Sequence, residues 1–97
     1  MNSLSPERAF QEALRLAAEA CGSSPGEIPV AYPPNASQGD LASALCFDLA
    51  RTERKAPRVL ADAIVAAFIP SHGIVRLEAA GNGYVNGFLD QIGRAHV

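Results

Sequence analysis

The stretch Gly81–Asp90, GNGYVNGFLD, decides how this chain folds. Two glycines around an asparagine make a turn, and Tyr84 to Leu89 then alternates in character as a strand does. Successive strand residues face opposite ways. Val85 and Leu89 therefore share one face, while Tyr84, Asn86 and Phe88 share the other. Just upstream, Val75, Leu77 and Ala79 alternate with Arg76 and Glu78, the pattern of a half-buried strand. The two segments make a hairpin, and its loop sets the faces. A two-residue Asn82-Gly83 loop would pair Asn86 with Ala79 and sink the amide into the core side. A three-residue Gly81-Asn82-Gly83 loop with a glycine bulge pairs Val85 with Ala79 and Leu89 with Val75. It leaves Tyr84, Asn86 and Phe88 facing outward beside Ala80, Glu78 and Arg76. Only this register suits both strands, because a slip of one residue inverts a strand's faces.

Upstream of the hairpin the pattern is helical. Ser5-Pro6-Glu7 supplies an N-cap, a proline for the first helical position and an acid for the first turn. Phe10, Ala13, Leu14, Ala17 and Cys21 then recur on one stripe until Gly22. Ile28, Val30 and Tyr32 alternate as a short strand, which Pro29 confines to an edge or a bulge. Asp40 is expected to cap a second helix with the stripe Leu41, Ala44, Leu45, Asp48 and Leu49, Asp48 at its edge. Pro57 opens a third, with Leu60, Ala61, Ile64, Ala67 and Phe68 inward, ended by Ile69 to Gly73. The expected class is α+β: a small antiparallel sheet with a C-terminal hairpin, covered on one face by about three helices.

At 97 residues the chain is long enough for one modest core, and 48% hydrophobic with 19% charged residues is a globular composition. The net charge of −2 gives no global signal for nucleic acid or an anionic membrane, although local clusters can still act. No apolar run approaches the roughly 20 residues that span a bilayer. The opening residues lack the basic and apolar regions of a signal peptide. Cys21 and Cys46 have no metal spacing and lie in apolar helical patterns, so buried free thiols are expected rather than a disulfide. These features together point to the cytoplasm.

Half of the chain's eight basic residues, Arg51, Arg54, Lys55 and Arg58, fall between the second and third helices. Such a run is either a solvated loop or a set of phosphate contacts. His72 sits in a turn with no partner cluster of histidine, cysteine or acid for a metal, and reads as plain surface. Glu78 and Asp90 have no supporting constellation for carboxylate catalysis. Neither a phosphate-cradling glycine loop nor a nucleophile elbow occurs, so the chain by itself is expected to be catalytically inactive.

Three segments, QGDLASALCFDLAR (38–51), APRVLADAIVAAF (56–68) and VRLEAAGNGYVNGFLD (75–90), together resemble the N-terminal additional domain of arginyl-tRNA synthetases. The shared pattern is Gly39-Asp40, then Leu49-Ala50-Arg51, Pro57, and the terminal Gly-x-Gly-aromatic-aliphatic-Asn of Gly81 to Asn86. The likeness runs over residues 5–90. Two positions depart from the family: it often has asparagine where Ser43 stands and an aromatic where Gly87 stands.

The resemblance implies a module that touches the outer corner of tRNA, where the D-loop presents an unstacked base. Tyr84 and Asn86 would read that base, with Arg51, Arg54, Lys55 and Arg58 on the backbone. General chemistry agrees: RNA sequence is read mainly at loops, where splayed bases stack on aromatic rings. A tyrosine face is such a platform, and an amide offers both a donor and an acceptor to a base edge. Arginine and ATP would bind a catalytic domain of the same parent chain, since neither of that domain's signature motifs occurs here. The fragment itself is expected to need no cofactor. The competing expectation is a free-standing protein-interaction domain that docks a partner on the aromatic hairpin face.

Residues 91–97 are read separately as a non-native tail. Ile92 to Val97 back-translates to ATC GGA AGA GCA CAC GTC, the opening of a common sequencing-library adapter whose next triplet is a stop.

Overall fold

The computed structural model describes residues 5–71 and 73–90. In chain order they form α1 (Pro6–Ala20), a 3-10 turn (Ala36–Gln38), β1 (Leu41–Ser43), α2 (Leu45–Glu53), α3 (Pro57–Ala67), β2 (Ile74–Ala80) and β3 (Tyr84–Leu89). The strands make one antiparallel sheet in the order β1-β3-β2, so the last strand is the central one. The class is α+β, as expected. The readings of His72 and of residues 91–97 lie outside the described residues.

The first helix follows its signals. The Ser5 hydroxyl accepts a 3.2 Å hydrogen bond from the Arg8 amide, and Phe10, Ala13, Leu14, Ala17 and Ala18 are buried. They pack with Leu60 and Ile64 of α3, Leu45 and Leu49 of α2, and Ile74, Leu77 and Val85 of the sheet as one core. Phe10 lies directly over Gly87. A β-carbon at Gly87 would stand only 2.5 Å from the Phe10 ring. The ring thus fills the room that a side chain at position 87 would need.

The hairpin has the expected three-residue loop register: Ala79 pairs with Val85, Ala80 with Tyr84, Glu78 with Asn86 and Arg76 with Phe88. At its far end the register shifts between Ile74 and Arg76, and Leu89 pairs with Ile74 instead of Val75. Val75 is the extra residue of a bulge and is exposed, while Ile74 takes the inward position.

Five further expectations are corrected. Residues 28–32 are not a strand; Ala31 makes a single bridge to Ala42. The third strand is instead Leu41–Ser43, expected as the opening of the second helix. Its extended backbone pairs the free edge of β3, whose amides and carbonyls would otherwise be buried without partners. Asp40 accordingly does not cap α2: its carboxylate accepts a 2.9 Å hydrogen bond from the Leu89 amide and extends the ladder by one rung. Ser43 marks the start of α2, its hydroxyl accepting from the Leu45 amide at 3.2 Å.

Both cysteines are free, but only Cys46 is buried. Cys21 lies at the C-terminal cap of α1, past the last buried turn, and its thiol donates to the Ala63 carbonyl at 3.4 Å. Lastly, the outward face of β3 is only partly open. Tyr84 is half exposed, whereas Asn86 and Phe88 are buried. The backbone at Gly39 lies close against both, and the Arg76 guanidinium sits 4.1 Å above the centre of the Phe88 ring.

Candidate nucleic-acid interface

The sheet places Tyr84 and Asn86 on one face of the central strand, away from the core. Tyr84 opens the strand. The residue is 48% exposed, and its ring packs against Phe47 of α2 in a T-shaped arrangement, the centroids 5.1 Å apart and the planes at 64°. This is a favoured aromatic geometry, and it restrains the ring's tilt while the residue stays half exposed. Beside it the outer face opens into a small apolar recess lined by Pro29, Val30, Ala31, Ala42 and Ala44.

Asn86 sits two residues deeper, between Ala42 of β1 and Glu78 of β2. It is only 8% exposed. Among the described residues its amide takes part in no side-chain hydrogen bond. No enclosed side-chain nitrogen or oxygen among them lacks a partner either, so the amide edge is one that solvent still reaches. Glu78 next to it is held by Arg76 at 3.3 Å.

The basic residues reach the same end of the molecule. The N-terminus of α3 packs on the hairpin turn so closely that a β-carbon at Gly83 would stand 2.4 Å from the Pro57 β-carbon. Arg58 donates to the Gly81 carbonyl at 2.9 Å and pairs with Asp62 at 3.1 Å. Arg51 lies four residues beyond Phe47, hence on the same face of α2, and pairs with Asp48. Arg54 ends α2 in the left-handed conformation at φ 57°, its amide bonded to the Ala50 carbonyl at 2.9 Å. Glycine normally takes that place because a side chain there is strained. Neither Arg54 nor Lys55 forms an ion pair among the described residues, and both are exposed.

Sequence reasoning missed Phe47 and the wall made by residues 29–31. The spacing of Phe47 and Arg51 on α2 was the available signal for the first. Nothing local announced the second. Elsewhere, no group of three or more histidine, cysteine, aspartate or glutamate residues among the described ones could hold a metal ion. No described helix is long and apolar enough to cross a membrane.

Comparison with known proteins bears on what this arrangement belongs to. The sequence family described as "Arginyl tRNA synthetase N terminal domain" matches residues 7–89. The chain belongs to that family. Among curated relatives, the arginine–tRNA ligase of Shouchella clausii is 42% identical over 59 residues, covering 60% of this chain and 11% of that protein. The arginine–tRNA ligase of Thioalkalivibrio sulfidiphilus is 37% identical over 81 residues, 82% of this chain and 14% of that one. The solved arginyl-tRNA synthetase of Thermus thermophilus matches with a TM-score of 0.75 and 27% identity, over 92% of this chain and 15% of that chain. The Plasmodium falciparum arginyl-tRNA synthetase matches with a TM-score of 0.71 at 10% identity, a likeness of fold. The domain thus spans only a small part of the proteins it resembles.

Proposed function

We propose that this domain is the tRNA-contacting module of an arginyl-tRNA synthetase and binds the D-loop at the outer corner of the tRNA. Tyr84 stacks on an unstacked base, Asn86 bonds the edge of that base, and Arg51, Arg54, Lys55 and Arg58 hold the neighbouring phosphates. The reaction itself, with its arginine and ATP, belongs to the catalytic domain of the parent chain, and the module works in the cytoplasm.

One observation carries this reading: a half-exposed tyrosine, braced by Phe47, stands at the turn to which Arg58 fastens the basic loop. Stacking of one base on such a ring contributes about 1–3 kcal/mol, and phosphate contacts add affinity without selecting sequence. The recessed amide supplies what stacking lacks. It can both donate to and accept from a base edge that comes to rest against Tyr84. The contact favours the correct tRNA before the distant chemical step.

The test is steady-state aminoacylation by the full-length enzyme carrying Asn86→Ala. The expected result is a raised KM for tRNA with the KM values for arginine and ATP unchanged. Unaltered use of tRNA would contradict the reading. Capture of a protein partner on the same face, with no effect on tRNA, would favour an interaction domain instead.

A further inference from the structure

At the opposite end of the domain, Ala13, Leu16, Ala17 and Ala20 of α1 face Ala67 and Ile69 across a shallow apolar groove that ends at Ser71. Leu16 is 46% exposed and Ile69 78%. α3 stops at Phe68, whose backbone is already extended, and Pro70 keeps Ile69 out of the helical region as well. Large aliphatic side chains gathered over a floor of alanines are the kind of surface that marks a contact site.

The path of the chain says what the contact is. Ser71 and Ile74 close a tight turn at the groove's border, and the Asp90 amide donates to the Gly73 carbonyl at 3.0 Å. The backbone therefore leaves β3 beside the groove. Both α3 and β3 run between the two ends of the domain. Pro57 and Tyr84 lie at the turn with the basic loop, whereas Ala67 lines the groove and Leu89 pairs with Ile74, which bridges to Ser71 at the groove's border. In its relatives this is an N-terminal domain, and the match covers 10–16% of their length, so in them most of the chain lies beyond it.

We propose that the groove seats the synthetase's own polypeptide beyond β3: an apolar segment covers Leu16 and Ile69 and sets the angle at which the Tyr84 end is presented. This rests on the domain being part of a full-length synthetase. Domains joined in one chain move relative to each other unless an apolar interface holds them, and a reading surface on a short module has to be aimed.

The experiment uses the full-length synthetase with a photoreactive benzophenone side chain at position 69, at position 16, or at exposed Val59 as a control. Products are mapped by mass spectrometry after irradiation. The expected result is intrachain cross-links from positions 69 and 16 to residues beyond 90, and none of these from position 59. Cross-links to a second copy, to tRNA, or only to residues within the domain would overturn the proposal. A benzophenone at position 84 with tRNA present reports the base-stacking contact separately, so either contact can fail without hiding the other.

Discussion

Arg58 donates a 2.9 Å hydrogen bond to the carbonyl of Gly81, and through it the basic loop before α3 is fastened to the turn of the hairpin. Pro57 completes the joint by occupying the space where a side chain on Gly83 would have to go. Gly83 is also at φ +151°, which residues with a β-carbon rarely adopt. Gly83→Ala is expected to destabilise the domain by about 1–3 kcal/mol, from strain plus the clash. Urea denaturation measures it; an unchanged midpoint would show that the turn and α3 are not locked together.

The Tyr32 hydroxyl donates to the Glu7 carboxylate and ties the start of α1 to the segment that walls the recess. That bond, with a backbone contact behind it, holds Glu7 below the usual carboxylate range and lifts Tyr32 above the usual phenol range. The signs follow from linkage. Stability from Glu7 is present above its unfolded value and lost as pH falls through its lower folded one. Stability from Tyr32 is present below its unfolded value and lost as pH rises through its higher folded one. Tyr32→Phe should therefore lower stability on the plateau between and flatten both limbs, weakly, because the pair is exposed. Denaturation midpoints across pH test this, and a profile parallel to wild type would contradict it.

The two thiols should differ in chemistry. Burial, helped by Cys21 and Glu53 nearby, pushes Cys46 up to about 11, while Cys21 is exposed. Since the thiolate is the reactive form, iodoacetamide at mildly alkaline pH should modify Cys21 in the folded protein and spare Cys46. In denaturant both should react. Equal labelling of the native protein, read by mass spectrometry, would mean that the α2 packing opens readily.

Lys55 and Arg54 make no ion pairs among the described residues and shortly precede Pro57, which packs on the hairpin turn. If they hold phosphates, replacing either with alanine should reduce the slope of log K against log salt by about one for tRNA binding. Arg15, paired with Glu12 and Glu19 on α1, is the control and should leave the slope unchanged. Equal slopes for all three would assign the run to solvated surface.

Much of this was legible in the sequence wherever a signal was local. The Ser5-Pro6 start of α1, the Pro57 start of α3 and the three-residue hairpin loop are each written within a few neighbouring residues. What was not legible depended on partners distant in the chain. Leu41 to Ser43 has a helical stripe, yet it becomes a strand because the bare edge of β3 needs partners. Val75 looked inward by alternation until the bulge turned it out. Phe88 and Asn86 were read as outward, correctly for their face, but the covering backbone at Gly39 and the Arg76 stack cannot be seen in alternation. Tyr84 and the basic run were identified separately. That α3 packs on Gly83, and so brings them together, is a tertiary fact.

The central claim is that the Tyr84 face binds tRNA by stacking. Titration of tRNA into full-length synthetases carrying Tyr84→Phe and Tyr84→Ala tests it most directly. Phenylalanine, which keeps the ring, should bind close to wild type. Alanine should lose about 1–3 kcal/mol, roughly five- to 150-fold in Kd, with arginine and ATP binding intact. An alanine variant that binds tRNA as tightly as wild type would contradict the account.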